Sequence, residues 1–218
     1  MYRLYYSPGA CSLAARIVLE ETGAPYEAEL VSAVDSRMTE TPAYRQINPK
    51  ARVPALWPVP GTIGARDAVL TEVGAIMVYL ARTYPEAGLL PADPAGEARS
   101  LEWLSWLTGS VHGQSYGQIW RAHRFTDDGA GMTAVKAKGM ANLADQYRLI
   151  ESVLADGRDW AVPGGYSIAD PYLHVFYCWG GRIGLPMATD YPAWTRLDAA
   201  TTARPAVRRA LAAEGLAP

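Results

Sequence analysis

The stretch Leu4-Tyr5-Tyr6-Ser7-Pro8-Gly9-Ala10-Cys11-Ser12 passes from strand to helix within nine residues. The hydrophobic residues up to Tyr6 end a strand, and Pro8 and Gly9 make a turn. From Cys11 the spacing is helical, with Leu13, Ala14, Ile17 and Val18 on one face and Gly23 where a helix stops. Tyr26, Ala28 and Leu30 then alternate with Glu27 and Glu29 as a second strand. Two strands joined through a helix form a βαβ unit with parallel strands, so the chain opens as an α/β fold.

This order puts Cys11 at a helix N-terminus. Unpaired backbone N–H groups and the positive end of the helix dipole favour an anion there, and the reactive form of a cysteine is its thiolate. A reactive thiol is one reading of Cys11; a small buried hydrophobe is the other.

Further along, Val53-Pro54 opens a third strand, at a bond where cis and trans are both open. A cis bond would turn the Val53 backbone out of the sheet to pair with an extended ligand. Pro58, Pro60, Gly61 and Gly64 form an extended hairpin connection, and Ala68 to Thr71 return as a fourth strand. A helix starts at Thr71-Glu72-Val73, where Glu72 suits the helix dipole or could bind an ammonium group. Residues 1–84 thus read as one α/β domain, and the proline-rich 85–94 as a linker. Residues 95–218 read as an all-α domain, with helices over about 97–120, 134–154 and 204–213. Ser167 and Asp170 mark another helix start as a capping pair.

Composition narrows the function classes. The 218 residues are 50% hydrophobic and 19% charged, which suits a globular protein. A net charge of -2 gives no reason to expect a nucleic-acid partner, and no apolar run is long enough to span a bilayer. The two cysteines do not make a disulfide framework, and the first residues carry no basic run before an apolar core. A cytoplasmic location with reduced thiols is expected. Pro8 and Ala14 flank Cys11 at three residues on either side, so an internal C-x-x-C cycle is excluded. His174 and Cys178 stand one helical turn apart without a further ligand cluster, and no metal is expected. Cys178, between Tyr177 and Trp179, reads as core; Arg121, His123 and Arg124 read as a solvated basic patch.

Taken together, several motifs resemble bacterial beta-class glutathione S-transferases from one end of the chain to the other. They are Tyr5 to Ser12 with Glu20-Glu21-Thr22-Gly23, Asn48-Pro49-Lys50 with Val53-Pro54-Ala55-Leu56, Leu70-Thr71-Glu72, Ser167 to Asp170, and Arg204-Pro205-Ala206-Val207 with Glu214-Gly215-Leu216. The resemblance implies a thioredoxin-like N-terminal domain, an all-helical C-terminal domain and a homodimer. It implies a cytoplasmic detoxification enzyme with glutathione as co-substrate, whose thiolate attacks an apolar electrophile. It also implies roles for individual residues. Cys11 would face the glutathione sulfur and could hold it as a mixed disulfide, with Tyr6 and Ser12 as hydroxyl neighbours. Tyr6 reads equally as a core aromatic. Val53 and Pro54 would meet the cysteinyl part, and Glu72 with the N–H of Val73 the γ-glutamyl end. Ser105 and His112 would approach glutathione from the long helix.

Departures from the family pattern bear on affinity. Residue 73 is valine where a small or hydroxyl residue is common, and Ser36 stands where a lysine often meets the glycyl carboxylate, leaving Arg37 or Arg52 to substitute. Gly113 replaces a frequent lysine. At 100° per residue Ser105, Gly109, His112, Tyr116 and Trp120 share a narrow helix face, expected to form the electrophile pocket with Gly109 and Gly113 as floor and Tyr116 and Trp120 as walls. The alternative for the glycines is close helix packing. A glutathione transferase is expected, with thiol–disulfide exchange through Cys11 as a second activity. A non-catalytic carrier of apolar ligands and a dedicated glutathione-dependent reductase or dehalogenase are the competing readings.

Overall fold

A computed structural model describes residues 1–34, 38–58 and 68–217. Ser36, Arg37 and most of the connection after Pro58 lie outside the described residues. The first 84 residues build a mixed sheet from β1 (Tyr2–Tyr6), β2 (Tyr26–Leu30), β3 (Ala55–Trp57) and β4 (Leu70–Thr71), in the order β2-β1-β3-β4. β1 and β2 are parallel across α1 (Ser12–Thr22), as the βαβ pattern requires; β3 and β4 run antiparallel to their neighbours. Gly23 ends α1 in the left-handed conformation at φ 65°, which glycine adopts without a steric penalty.

Alternation along β1 decides what each face meets. Tyr2 and Leu4 face α1 and α3 (Val73–Thr83), joining Ile17, Ile76 and Leu80 in the main core. Tyr5 points to the opposite face, where Tyr44 of α2 (Pro42–Ile47), Val53 and Ala55 make a smaller cluster.

The main core continues without a break into the helical region, through Leu104, Leu107, Phe176, Trp179 and Trp194. The proline-rich connection is packed rather than loose: Leu89 is buried and its carbonyl accepts from the Ile168 N–H at 2.9 Å. Beyond it come α4 (Pro94–Trp106), a π-helical stretch over Leu107–Tyr116, α5 (Gly117–Trp120) and α6 (Gly129–Leu154). α7 (Ala169–Arg182), α8 (Met187–Asp190), α9 (Pro192–Ala203) and α10 (Pro205–Ala213) complete it. The expected uniform α-helix over 97–120 is therefore corrected. Its middle widens into i→i+5 turns, as in the Gly117 N–H to His112 carbonyl bond. No helix among the described residues is long and apolar enough to cross a membrane.

The capping pair at α7 forms as expected. Asp170, fully buried, accepts from the N–H groups of Ser167 at 2.7 Å and Ala161 at 2.8 Å, while Ser167 Oγ accepts from Ala169 N–H at 3.3 Å. Burial pushes the Asp170 carboxyl up to about 6. Asp170→Ala would leave two buried N–H groups without acceptors, each costing about 1–3 kcal/mol. Urea unfolding of this variant should show stability lower by about 3 kcal/mol with an unchanged m-value.

Candidate functional site

Strand register brings the key residues together. β3 and β4 pair Ala55 with Thr71, so the next positions outward are Pro54 on one strand and Glu72 on the other. Here the Val53–Pro54 peptide is cis. Glu72 enters α3 at φ 70°, a left-handed backbone that a non-glycine residue adopts only when its surroundings impose it. Its carboxylate is held by Lys50 Nζ at 2.5 Å, both groups being exposed. On the neighbouring strand β1 runs into the Ser7–Cys11 turn. Its tip, Gly9, has φ 63°.

A cleft of about 770 Å³ opens between this sheet edge and the helical region. Cys11, Val53, Pro54, Glu72 and Val73 line one side, and His112, Gly113, Tyr116, Trp120 and Trp179 the other. Arg52, Arg121 and Arg124 also line it.

Of the readings open for Cys11 and Tyr6 the buried one holds for each, and the expected placement of Ser12 is corrected. Cys11 is buried and its thiol donates to the Val53 carbonyl at 3.5 Å. Burial pushes its pKa up to about 12, outweighing the lowering by the N–H groups of Cys11 and Ser12. The free protein thus carries a neutral thiol there. Ser12 does not face the cleft: its Oγ donates to the Ser7 carbonyl at 3.1 Å and accepts from the Ser7 N–H at 3.2 Å, closing the turn. Tyr6 packs against the main core with the Arg16 guanidinium over its ring at 4.7 Å, away from the cleft lining. Arg37 lies outside the described residues.

The π-helical stretch changes which face meets the cleft. With i→i+5 bonding over Leu107–Tyr116 the lining positions are Thr108, His112 and Gly113, Tyr116 and Gly117, and Trp120 and Arg121. Ser105 and Gly109 fall off this face; the Ser105 Oγ bonds to the Leu101 carbonyl at 2.8 Å instead. The glycines have separate reasons. A Cβ at Gly113 would come within 3.1 Å of the Thr108 carbonyl, five residues back, so glycine there eases the wide turn. Gly117 packs against Phe125, whereas a Cβ at Gly109 would meet nothing within 4 Å.

His112 bonds through Nδ1 with the Tyr172 hydroxyl at 3.3 Å and stacks edge-on with Trp179. Burial, with Arg124 and Arg52 nearby, lowers its pKa to about 4, so it is neutral at pH 7 and a poor acceptor for a thiol proton. Cys178 is exposed rather than core, one turn from His174, whose Nδ1 pairs with Asp198 Oδ1 at 2.8 Å. No group of three or more metal-ligating side chains occurs among the described residues. Two residues that sequence reasoning missed hold the Cys11 turn: Trp179 Nε1 donates to the Gly9 carbonyl at 2.7 Å, and Glu214 Oε2 accepts from the Gly9 N–H at 2.9 Å.

Comparison with known proteins finds relatives along the whole chain. A family model described as glutathione S-transferase, N-terminal domain, matches residues 9–83. Over its full length the chain is similar to glutathione S-transferase GstA of Escherichia coli O157:H7, at 31% identity over 216 residues, 98% of this chain and 99% of that protein. Among solved structures it is similar to a Sulfitobacter glutathione transferase homologue with bound glutathione, with TM-score 0.88, 31% identity, and coverage of 100% and 99% of the two chains. It is also similar to the bacterial beta-class glutathione S-transferase of Sphingomonas chungbukensis, with TM-score 0.82, 29% identity, and coverage of 99% and 100%.

Because His112 is neutral in the fold at about 4 against an ordinary 6.5, the unfolded chain binds the extra proton first. Stability from this residue is complete above about pH 6.5 and is lost as pH falls through about 4. Thermal melting across that interval should show a smaller acid-side loss for His112→Gln than for the parent.

Proposed function

The chain belongs to the glutathione S-transferase family and is a transferase enzyme, and we propose that it binds glutathione against Val53 and Glu72 with the sulfur beside Cys11. The observation that carries this reading is the meeting of Cys11, Val53-Pro54 and Glu72-Val73 at one end of a cleft whose other end is aromatic. The strained backbone of Glu72 supports it, since such strain persists where a ligand clamp requires it. In this reading the Glu72 carboxylate takes the γ-glutamyl ammonium, now answered by Lys50. The first N–H groups of α3, which lack intrahelical partners, take the γ-glutamyl carboxylate. Val73 supplies no hydroxyl to help. Arg52, in the cleft lining, takes the glycyl carboxylate, and two copies of the chain pair as a homodimer.

The chemistry follows from the state of Cys11. A neutral S–H is a donor, so it stabilises the glutathione thiolate by leaving the Val53 carbonyl and turning to the sulfur. The N–H groups at the start of α1 assist it. The thiolate then attacks the electrophile held against Tyr116, Trp120 and Trp179; a carbon–sulfur bond forms and the leaving group departs with its electron pair. The neutral His112 orients rather than ionises. The same burial that keeps Cys11 protonated weighs against thiol–disulfide exchange as the main activity.

Two variants test the assignment. Cys11→Ala should still conjugate glutathione to a chloronitro-aromatic, with the pKa of bound glutathione raised by about one unit, read from the pH profile of kcat. Complete loss of activity would make Cys11 the nucleophile itself. Glu72→Gln should weaken glutathione binding by about tenfold in calorimetric titration while the melting temperature stays close to that of the parent. Unchanged binding would remove Glu72 from the site.

A further inference from the structure

The cleft carries an excess of positive charge that glutathione does not use up. Lys50, Arg52, Arg121, Arg124 and Arg182 line it, against the single carboxylate of Glu72 among its described lining residues. That concentration occurs in a chain whose net charge is -2, so it is local to the cleft. Glutathione places one ammonium and two carboxylates, and its γ-glutamyl end is answered by Glu72 and backbone N–H groups. One arginine suffices for the glycyl end.

Arg121 and Arg124 follow Trp120 in sequence and line the same cleft. Arg121 is anchored: Nη2 donates to the Ala33 carbonyl at 2.9 Å and Nη1 to the Trp120 carbonyl at 3.1 Å. Arg124 follows on the single turn Ala122–Arg124, open to the water of the cleft, with no carboxylate at ion-pair distance among the described residues. Partial burial and the charges of Arg52 and Arg121 lower its pKa to about 10, with Glu40 offsetting them in part. Like charges held together in a cleft focus the field on what enters it. Trp120 adjoins Arg121 in sequence, and its ring lies 4.5 Å from Tyr116 and 4.8 Å from Trp179. An aromatic wall bordered by one anchored guanidinium, Arg121, and by Arg124 fits a flat molecule with an acid group at one edge.

We propose that Arg124, supported by Arg121, is a carboxylate-binding site for the second substrate, and that the enzyme favours aromatic or conjugated acids over neutral electrophiles. The proposal rests on the transferase reading above and adds the substrate class. It replaces both the solvated basic patch and the purely apolar electrophile expected from the sequence. A planar guanidinium matches a carboxylate through two parallel N–H···O bonds, which gives orientation as well as attraction. The acid group at Arg124 would turn the reacting carbon inward, towards the sulfur beside Cys11.

The test uses a benzoic acid with chlorine para and nitro meta to the acid group, and the matching benzamide. With glutathione each loses chloride as the carbon–sulfur bond forms, and enzymatic kcat/KM is divided by the uncatalysed rate. The parent should favour the acid by about tenfold, and Arg124→Gln should remove most of that preference through KM for the acid. Arg124→Lys, which keeps the charge, should retain part of it. Glutathione and its glycyl ethyl ester form the second arm. If Arg124→Gln raises KM for glutathione but not for the ester, the residue holds the glycyl carboxylate and the proposal falls. Equal turnover of acid and amide by the parent overturns it while leaving the transferase reading intact. Turnover of neither overturns both.

Discussion

The site depends on how one residue, Gly9, is held from both sides. Its N–H donates to Glu214 at 2.9 Å and its carbonyl accepts from the indole of Trp179 at 2.7 Å. Glu214 lies beyond the last helix and Trp179 within α7, so the turn that presents Cys11 is fixed by the far end of the chain. The same carboxylate faces Arg16 of α1 at 3.5 Å, with both side chains buried. Removing one member of a buried ion pair costs about 3–5 kcal/mol, because the other charge stays unpaired. Gly9 also needs its φ of 63°, which most side chains would strain. The sheet supplies the strand, but the helical region decides where the thiol sits.

That placement explains the electrostatics. A thiol at a helix N-terminus would ionise easily if water reached it. Here the clamp presses the turn into the core, and desolvation wins over the backbone N–H groups. The result is a cleft in which Cys11 and His112 are both uncharged. In the proposed reading, a glutathione thiolate entering it meets the Cys11 S–H and the N–H groups of α1, with Glu72 the one carboxylate among the described lining residues.

How much of this was legible follows the range of the interactions. Local signals worked well: Gly23 closes α1, and Ser167 with Asp170 opens α7. The alternation of Tyr26 to Leu30 marks β2. The pattern of chemistry-bearing positions, Cys11, Val53-Pro54 and Glu72, also stood in the sequence and lines one cleft. The rest lay in long-range contacts. Nothing near Gly9 announces partners 170 and 205 residues away. Hydroxyls at Tyr6 and Ser12 read as polar neighbours of the thiol. Yet Tyr6 sits beneath Arg16, and Ser12 is consumed by the turn itself.

The helical face opposite shows the limit of periodicity more sharply. An assumed 100° step grouped Ser105 and Gly109 with His112, and missed Thr108 and Arg121. The wide turns over Leu107–Tyr116 rotate the register between α4 and α5, so Ser105 and Gly109 leave the wall that Tyr116, Trp120 and Arg121 share. Glycine at 113 permits that turn, because any Cβ would press on the Thr108 carbonyl at 3.1 Å. Arg121 is then tied across the cleft to Ala33, so the loop after β2 and the end of α5 are held together. In the proposed reading, substrate preference lies where the helix wall meets the loop after β2, at the Arg121–Ala33 contact.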